Sequence, residues 1–554
     1  MTDNSFQEKI DKTLIALSSR LGCVLVISAG IIIRSKLLFE NCSLWLDEAW
    51  VAMDILSRPF IDIVLQVYTF QDFSRPPLLF LIISKLFVNF LGNHEMSLRF
   101  LPFLSSIVSL LIFYRLLNKY VDRRLIIFGL ILISFCGYAV RYSVELKQYS
   151  TDLLAGLVVL SLSDLLRRKE IWALEVELIG IVFSAIMLFS NAAIFVIAGV
   201  LVTYFISACI NRDNEKIRGF LFLFIIVISV FILIYKFSLE GMVNSDKLTG
   251  YWSSYFLPEG SFIKKMEWLK DSVISMFLKP LGINWPVLGL GLFSLGLLRL
   301  FKKDKTSFFV FILPFILVMA AAIIRKYPFG DRLVLFLVPF LIIMILNGIE
   351  FLMNKSRFFY VLALIAVFLL IIYPVKQSWE KFNETTCFEE NREVMKYFAD
   401  NFRIGDHIFI NDTAVFTLAY YLDYYGMKKR ISMDEVNNVK GGKYRLLVTS
   451  RIFDNLAMCG GKECLGADFQ FLNYSSDYRF RTISIQKEYE VYYIIEKIPD
   501  KMKLSRRNWV FLSHVPDPTT KLVLKVFDGE GKRIDYLKKN GAGIYLYEIN
   551  DLEP

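Results

Sequence analysis

The sequence predicts an all-α polytopic membrane domain followed by a soluble α/β domain outside the membrane. Three observations predict it. Of the 554 residues, 55% are hydrophobic, and mean hydropathy is +0.49; ordinary soluble chains hold roughly 45–50% apolar residues. Apolar runs of about 20 residues, the length that crosses a hydrocarbon core, recur between Leu21 and Tyr373, with Lys and Arg gathered at their ends. After Tyr373 the composition shifts to charged residues with Gly-Asp and Asn-Gly turns. The expected boundaries are a membrane domain at 1–375 and an extracytoplasmic domain at 376–554.

The positive-inside rule orders the elements. Lys9, Lys12 and Arg20 hold the N-terminus in the cytoplasm. Residues 1–20 are polar and lack a cleavage site, so the first span, 21–38, stays as an anchor. It delivers Asp47 and Glu48 to the outer face. Residues 76–91 are apolar, but as a crossing they would put Lys119, Arg123 and Arg124 outside. They are therefore read as a re-entrant or interfacial helix, which requires a protein-covered or wet cavity. Spans follow at 97–117, 125–140 and 151–166, with 141–149 as an outer loop. Residues 173–210 hold two spans turning near Asn191, and 220–237 exits to a long polar segment, 238–285. Crossings at 286–298, 307–324, 333–350 and 358–373 bring the total to about eleven.

In the tail, helices are expected at 392–401 and 414–425. Strands are expected at 407–410, 445–449, 481–485, 489–496, 509–513 and 543–548. The whole is of ordinary single-domain size, with no internal repeat.

Composition narrows the function. The net charge of +10 sits at span ends, where it reads as topology and contact with anionic lipid rather than nucleic acid. The seven cysteines show no zinc spacing. Cys23, Cys136 and Cys209 lie in apolar runs as buried small hydrophobes. Cys459 and Cys464 can close a small disulfide loop in an oxidising compartment. With three histidines in the chain, no His-built metal site is expected, and no cofactor signal is present.

The threading gathers polar clusters on the outer face: Asp47-Glu48, Asp72-Phe-Ser-Arg75, Glu95 with Arg99, the 141–149 loop, and Tyr327-Pro-Phe-Gly-Asp331-Arg332. Ionised groups at a bilayer are costly and tend to be functional. A carboxylate can act as general base on a hydroxyl. Arg and Lys can grip a phosphate, Arg with a bidentate fork. Together they suit transfer from a phosphate-bearing lipid to an acceptor.

These residues resemble the GT-C glycosyltransferases, specifically the glycosyltransferase family 39 and protein O-mannosyltransferase-like group, in its bacterial branch related to the lipid A aminoarabinose transferases. The resemblance rests on Ser43-Leu-Trp-Leu-Asp-Glu-Ala49, Arg75-Pro-Pro-Leu78, Glu95-Met-Ser-Leu-Arg99-Phe-Leu-Pro102, Tyr142-Ser-Val-Glu145-Leu-Lys-Gln-Tyr149 and Tyr327-Pro-Phe-Gly-Asp-Arg332. More loosely it extends to Trp509-Val-Phe-Leu-Ser-His514 and Gly541-Ala-Gly-Ile-Tyr-Leu-Tyr547. It implies a polyprenyl-phosphate-sugar donor, a glycan, lipid or protein acceptor, and a metal-free inverting displacement. It implies a bacterial inner membrane with the active site outside. Asp47 matches the family's acid and is the candidate base, with Glu48 orienting it or binding the acceptor. Arg75, Glu145, Tyr149 and Arg332 match substrate-binding positions. Lys147 stands where many relatives carry Arg, and so keeps the charge without the fork.

Blander readings stand beside these. Arg34, at the outer end of the first span, either snorkels to the headgroups or contacts the donor. Glu95 and Arg99 read as a loop salt bridge, and Tyr149 as an interfacial anchor. A lipid or polysaccharide transporter with an external domain is the alternative function. It would place its ionisable groups at mid-membrane in broken helices.

Overall fold

The structure, a computed structural model, describes residues 4–65, 75–167, 173–384, 387–403, 406–411, 414–426, 446–449, 469–472, 481–482, 493–494 and 506–549. The chain forms two compact units. The first comprises Met1–Glu40, Asp72–Phe87 and Arg99–Thr385; the second comprises Asn41–Gln71, Val88–Leu98 and Thr386–Pro554. The segment carrying Asp47 and Glu48 thus groups with the tail, and the helix Arg357–Asn383 runs on past residue 375.

The first unit is helical. Among the described residues, eight helices are long and apolar enough to cross a membrane, from Arg20–Glu40 to Arg357–Asn383. The other three expected crossings take different forms. Residues 125–140 break into Ile126–Ser134 and Gly137–Arg141. Ala173–Phe189 is 17 residues long. Pro286–Lys303 carries Arg299, Lys302 and Lys303 at its end. The doubtful apolar stretch is the helix Leu78–Leu91, whose 14 residues fall short of the roughly 20 a crossing needs. An amphipathic helix, Asn4–Leu17, precedes the first span, where the sequence had read only a polar leader.

Burial orders these helices. In Asp331–Met353, 94% of the apolar window is buried, against 17% in Asn214–Val243. The former is the centre of the unit and the latter a peripheral helix. The central helix can be reached closely because of two glycines. A Cβ on Gly348 would stand 1.9 Å from the Leu292 carbonyl oxygen, and one on Gly296 1.9 Å from that of Met344. Small residues at such crossings let helix backbones touch.

The break at Phe135-Cys136 frees carbonyls that a helix would have paired. Side chains take them up. Arg34 donates to Ser134 O at 2.8 Å and to Ile133 O at 3.3 Å, Ser378 Oγ to Phe135 O at 2.8 Å, and Lys381 Nζ to Gly137 O at 3.3 Å. Arg34 also donates to Ser106 Oγ and Gly30 O, at 2.7 and 2.9 Å, and is 1% exposed. It neither snorkels nor extends outward. Its guanidinium caps the broken helix, and the break turns the short helix Gly137–Arg141 away from the line of Ile126–Ser134.

The second unit holds a six-stranded mixed sheet in the order β3-β2-β1-β6-β8-β7. These are β1 (His407–Ile410), β2 (Leu446–Thr449), β3 (Phe469–Leu472), β6 (Arg507–Ser513), β7 (Gly531–Lys539) and β8 (Ala542–Ile549). β1 pairs parallel with β2 and β6, while β8 runs antiparallel to β6 and β7. A separate pair joins β4 (Arg481–Thr482) and β5 (Tyr493–Ile494). β6 and β8 are almost wholly buried, as central strands should be, whereas β7 is mostly exposed at the edge. The helix Asp517–Glu530 packs Val523, Leu524 and Phe527 onto the sheet. That helix, β3 and β7 are additions to the elements expected from sequence. Cys459 and Cys464 lie outside the described residues. Among the described residues, a disulfide joins Cys42 to Cys387 across 345 positions, with Cα atoms 5.4 Å apart.

Candidate functional site

Asp47 and Glu48 occupy the first turn of the helix Leu46–Ser57. Trp45 is extended, and its carbonyl receives the first helical N–H groups, from Glu48 and Ala49, both at 2.9 Å. Carboxylates in a first turn are favoured by the partial positive charge of unpaired N–H groups there. Glu48 is buried and Asp47 half-buried. Farther along the helix, Asp54 and Arg58 form a buried ion pair at 3.0 Å.

Glu95, also in this unit, is fully buried. It pairs with Arg392 at 2.8 Å and accepts from the Tyr421 hydroxyl at 3.0 Å. Burial works against the Arg392 charge, but Glu95 outweighs it and holds the guanidinium above its ordinary value. The sequence pairs Glu95 with Arg99; the structure gives it Arg392, a cation from the tail.

A basic and aromatic cluster forms in the first unit. Arg332 lies over the rings of Trp252, at 5.3 Å, and Tyr149, at 5.8 Å, distances at which a cation is drawn to a ring face. It also stands near Tyr142, whose hydroxyl is pushed up to about 12, first by burial and then by Glu145, against the pull of Arg332 and Arg141. Tyr142 and Tyr149 meet edge to face at 4.7 Å, and Arg141 pairs with Glu145 at 2.6 Å. Lys147 is buried on the same turn, its N–H donating to the Glu145 carbonyl at 2.7 Å.

The turn carrying Arg332 is built to hold it. Asp331 adopts a left-handed φ of +52°, with the hydroxyls of Tyr138 and Tyr255 near its carboxylate. Phe329 N donates to Tyr255 O at 3.0 Å. The Tyr255 ring lies so close to Gly330 that a Cβ there would be 2.3 Å from it. Tyr327 closes the turn through its hydroxyl, 2.8 Å from Leu333 O. A non-glycine residue at positive φ persists only where its surroundings over-determine it.

The structure thus brings together Glu145, Tyr149 and Arg332, with Lys147 beside them. Arg75 stands elsewhere in the first unit: it donates to Phe237 O at 3.3 Å and lies over Gly241. Sequence reasoning missed Trp252, Tyr255 and Tyr138, because tyrosines and tryptophans near span ends are common as interfacial anchors. Among the described residues no group of His, Cys, Asp and Glu is arranged to hold a metal.

Residues 74–235 match the family model described as dolichyl-phosphate-mannose-protein mannosyltransferase. The crystal structure of ArnT from Cupriavidus metallidurans in the apo state is similar with a TM-score of 0.53 at 10% identity, covering 94% of this chain and 97% of that one. The same protein bound to undecaprenyl phosphate gives 0.54 at 11% identity, covering 95% and 98%. The chain has the ArnT-like GT-C fold. The Archaeoglobus fulgidus oligosaccharyltransferase, in complex with Zn and sulfate, is more distant: TM-score 0.49, 11% identity, covering 95% of this chain and 73% of that one. No curated protein matches the sequence significantly. The family match includes Arg75, Glu145, Lys147 and Tyr149 but neither Asp47 nor Arg332.

Proposed function

We propose that the protein moves a sugar from a polyprenyl-phosphate-linked donor to a glycan, lipid or protein acceptor on the extracytoplasmic face of a bacterial cell membrane, with inversion at the anomeric carbon. The observation that carries this reading is the ArnT-like GT-C fold, since the ArnT structure with undecaprenyl phosphate bound is among its matches. The Cys42–Cys387 disulfide supports the assignment of face, because such bonds persist in oxidising compartments. Residues 1–375 would supply donor binding and 376–554 the extracytoplasmic domain.

In this reading an acceptor hydroxyl attacks the anomeric carbon while the bond from that carbon to the phosphate oxygen breaks. Asp47 takes the hydroxyl proton, and Glu48 orients it. The electron pair leaves on the polyprenyl phosphate, which passes from diester to monoester and gains negative charge. Arg332 stabilises that charge, since preorganised cations act most where charge develops. Arg75 and Lys147 add positive potential, and Glu145 and Tyr149 line the sugar side. Arg34 is left a structural role, its guanidinium bonded to Ser106, to Gly30 and to the carbonyls at the helix break.

The test is turnover in lipid nanodiscs. Undecaprenyl-phosphate-linked mannose, glucose, galactose and arabinose are presented with a membrane-lipid extract, and release of undecaprenyl phosphate is followed. At least one donor should turn over, and Asp47→Asn should lower its rate by about a hundred- to ten-thousandfold, the usual worth of general-base help. Donor affinity should hardly change. A folded Asp47→Asn variant with parental turnover would remove Asp47 as the base, and Glu145 would be the next candidate.

A further inference from the structure

The residues immediately before Asp47 are held one by one from the C-terminal part of the second unit. Cys42 is bonded to Cys387. Ser43 Oγ accepts from Arg392 N at 3.0 Å. Leu44 is held at both ends of its peptide: its N–H donates to the Tyr421 hydroxyl at 2.9 Å, and its carbonyl accepts from Asn391 Nδ2 at 3.0 Å. The Trp45 ring lies 5.8 Å from that of Phe388 and 6.2 Å from that of His514. Since the Trp45 carbonyl begins the helix of Asp47 and Glu48, whatever fixes residues 44 and 45 fixes the two carboxylates.

The grip on Leu44 has its own support. Asn391 is fully buried, and its amide nitrogen also donates to Glu389 Oε2 at 2.7 Å. Glu389 is 2% exposed. It accepts further from Ser513 Oγ at 3.1 Å and faces His514 Nδ1 at 2.7 Å. Ser513 Oγ lies 2.8 Å from Asn391 Oδ1. Ser513 is in turn fixed through its backbone by Asn411, at 2.9 and 2.8 Å. His514 takes a left-handed φ of +59°, and its N–H donates to Gly541 O at 3.1 Å. Buried polar groups are costly unless satisfied, and a satisfied network specifies one geometry. An ionised carboxylate only accepts hydrogen bonds. Glu389 therefore forces the Asn391 amide to present its nitrogen, and the second N–H is left for Leu44 O. With a neutral amide at position 389 the Asn391 side chain would be free to turn over and set oxygen against oxygen at Leu44.

We infer that Asn391 is a positioning residue for the Asp47-Glu48 pair, with Glu389 fixing the orientation of its amide. The inference rests on the proposed role of Asp47 as base. The tail is then part of the transfer machinery, because it sets the place of the carboxylates.

The experiment uses the full chain in nanodiscs with the fastest of the four donors above. Asn391→Ala and the near-isosteric Glu389→Gln should each lower kcat by about ten- to hundredfold, the scale of loss from a small misplacement of a reacting group. KM for the donor should stay within about twofold, because the phosphate-binding groups are untouched. Each is also combined with Asp47→Asn. In that background Asn391→Ala should cost less than about twofold, because a misplaced base and an absent base lose the same contribution. If Asn391→Ala fails to fold, Glu389→Gln alone decides. Equal losses in both backgrounds, or unchanged kcat in both single variants, would overturn the positioning role. Parental turnover of Asp47→Asn by itself would instead overturn the base, whatever the tail variants do.

Discussion

Arg332 stands between two aromatic faces and a tyrosine hydroxyl, and its chemistry should depend on its shape as well as its charge. A guanidinium can lie flat on Trp252 and still offer a fork to a phosphate, while an ammonium is a point charge that does neither well. Arg332→Ala should weaken binding of undecaprenyl phosphate by about ten- to hundredfold, the worth of a charge-assisted bond of roughly 1.5–3 kcal/mol. Arg332→Lys should recover only part of it. Equilibrium binding to purified protein in nanodiscs checks both, and unchanged affinity in the alanine variant would take Arg332 out of the phosphate site. The two ends of this reading were unequally legible. Arg332 stood out as a cation in an outer loop, but its partner Trp252 lies 80 positions away in a polar segment that no periodicity marks. Arg34 was misread for a related reason. Its position near a span end is the usual setting for a snorkelling cation, and nothing local announces that another helix breaks 100 residues later and needs its carbonyls capped.

At the scale of elements, span lengths and ends were legible because hydropathy and basic flanks are local signals. Contacts between spans were not. The crossing of Pro286–Lys303 with Val338–Met353 depends on Gly296 and Gly348, each facing the other helix's backbone. Neither glycine has a positive φ or marks a turn, so sequence alone gives no reason to single it out. Backbone cannot move aside as a side chain can, so a methyl group at either place must push the helices apart. Gly348→Ala should destabilise the unit by about 1–3 kcal/mol or more, as over-packed cores do. The thermal melt in detergent should fall, while the same change at Gly291, where a Cβ meets open space, should leave it unmoved. Equal melts for the two variants would mean that this crossing is looser than the structure has it. In the tail, β1 and β6 were legible as short apolar runs. β7 was not, because as an edge strand it is mostly polar and alternates weakly.

For the whole molecule, the question is which side of the membrane the second unit faces, and the cysteines offer a direct test. The sequence offers Cys459 and Cys464 as a pair because they are close in the chain, and both lie outside the described residues. Among the described residues, a bond closes a loop of hundreds of residues between Cys42 and Cys387. That closure can persist only if both cysteines sit in an oxidising compartment, the same side that the proposed topology gives to Asp47 and the tail. A variant with Cys459→Ser and Cys464→Ser retains five of the seven cysteines. Three of these, Cys23, Cys136 and Cys209, are free thiols, and the other two are Cys42 and Cys387. Protein from membranes, denatured without reductant and treated with a mass-tagged maleimide, should therefore carry three tags, rising to five after reduction. Five tags before reduction would place residues 42 and 387 in the cytoplasm. It would turn the whole threading over, and the acid pair with it, because the basic clusters at alternate span ends fix every crossing relative to the first.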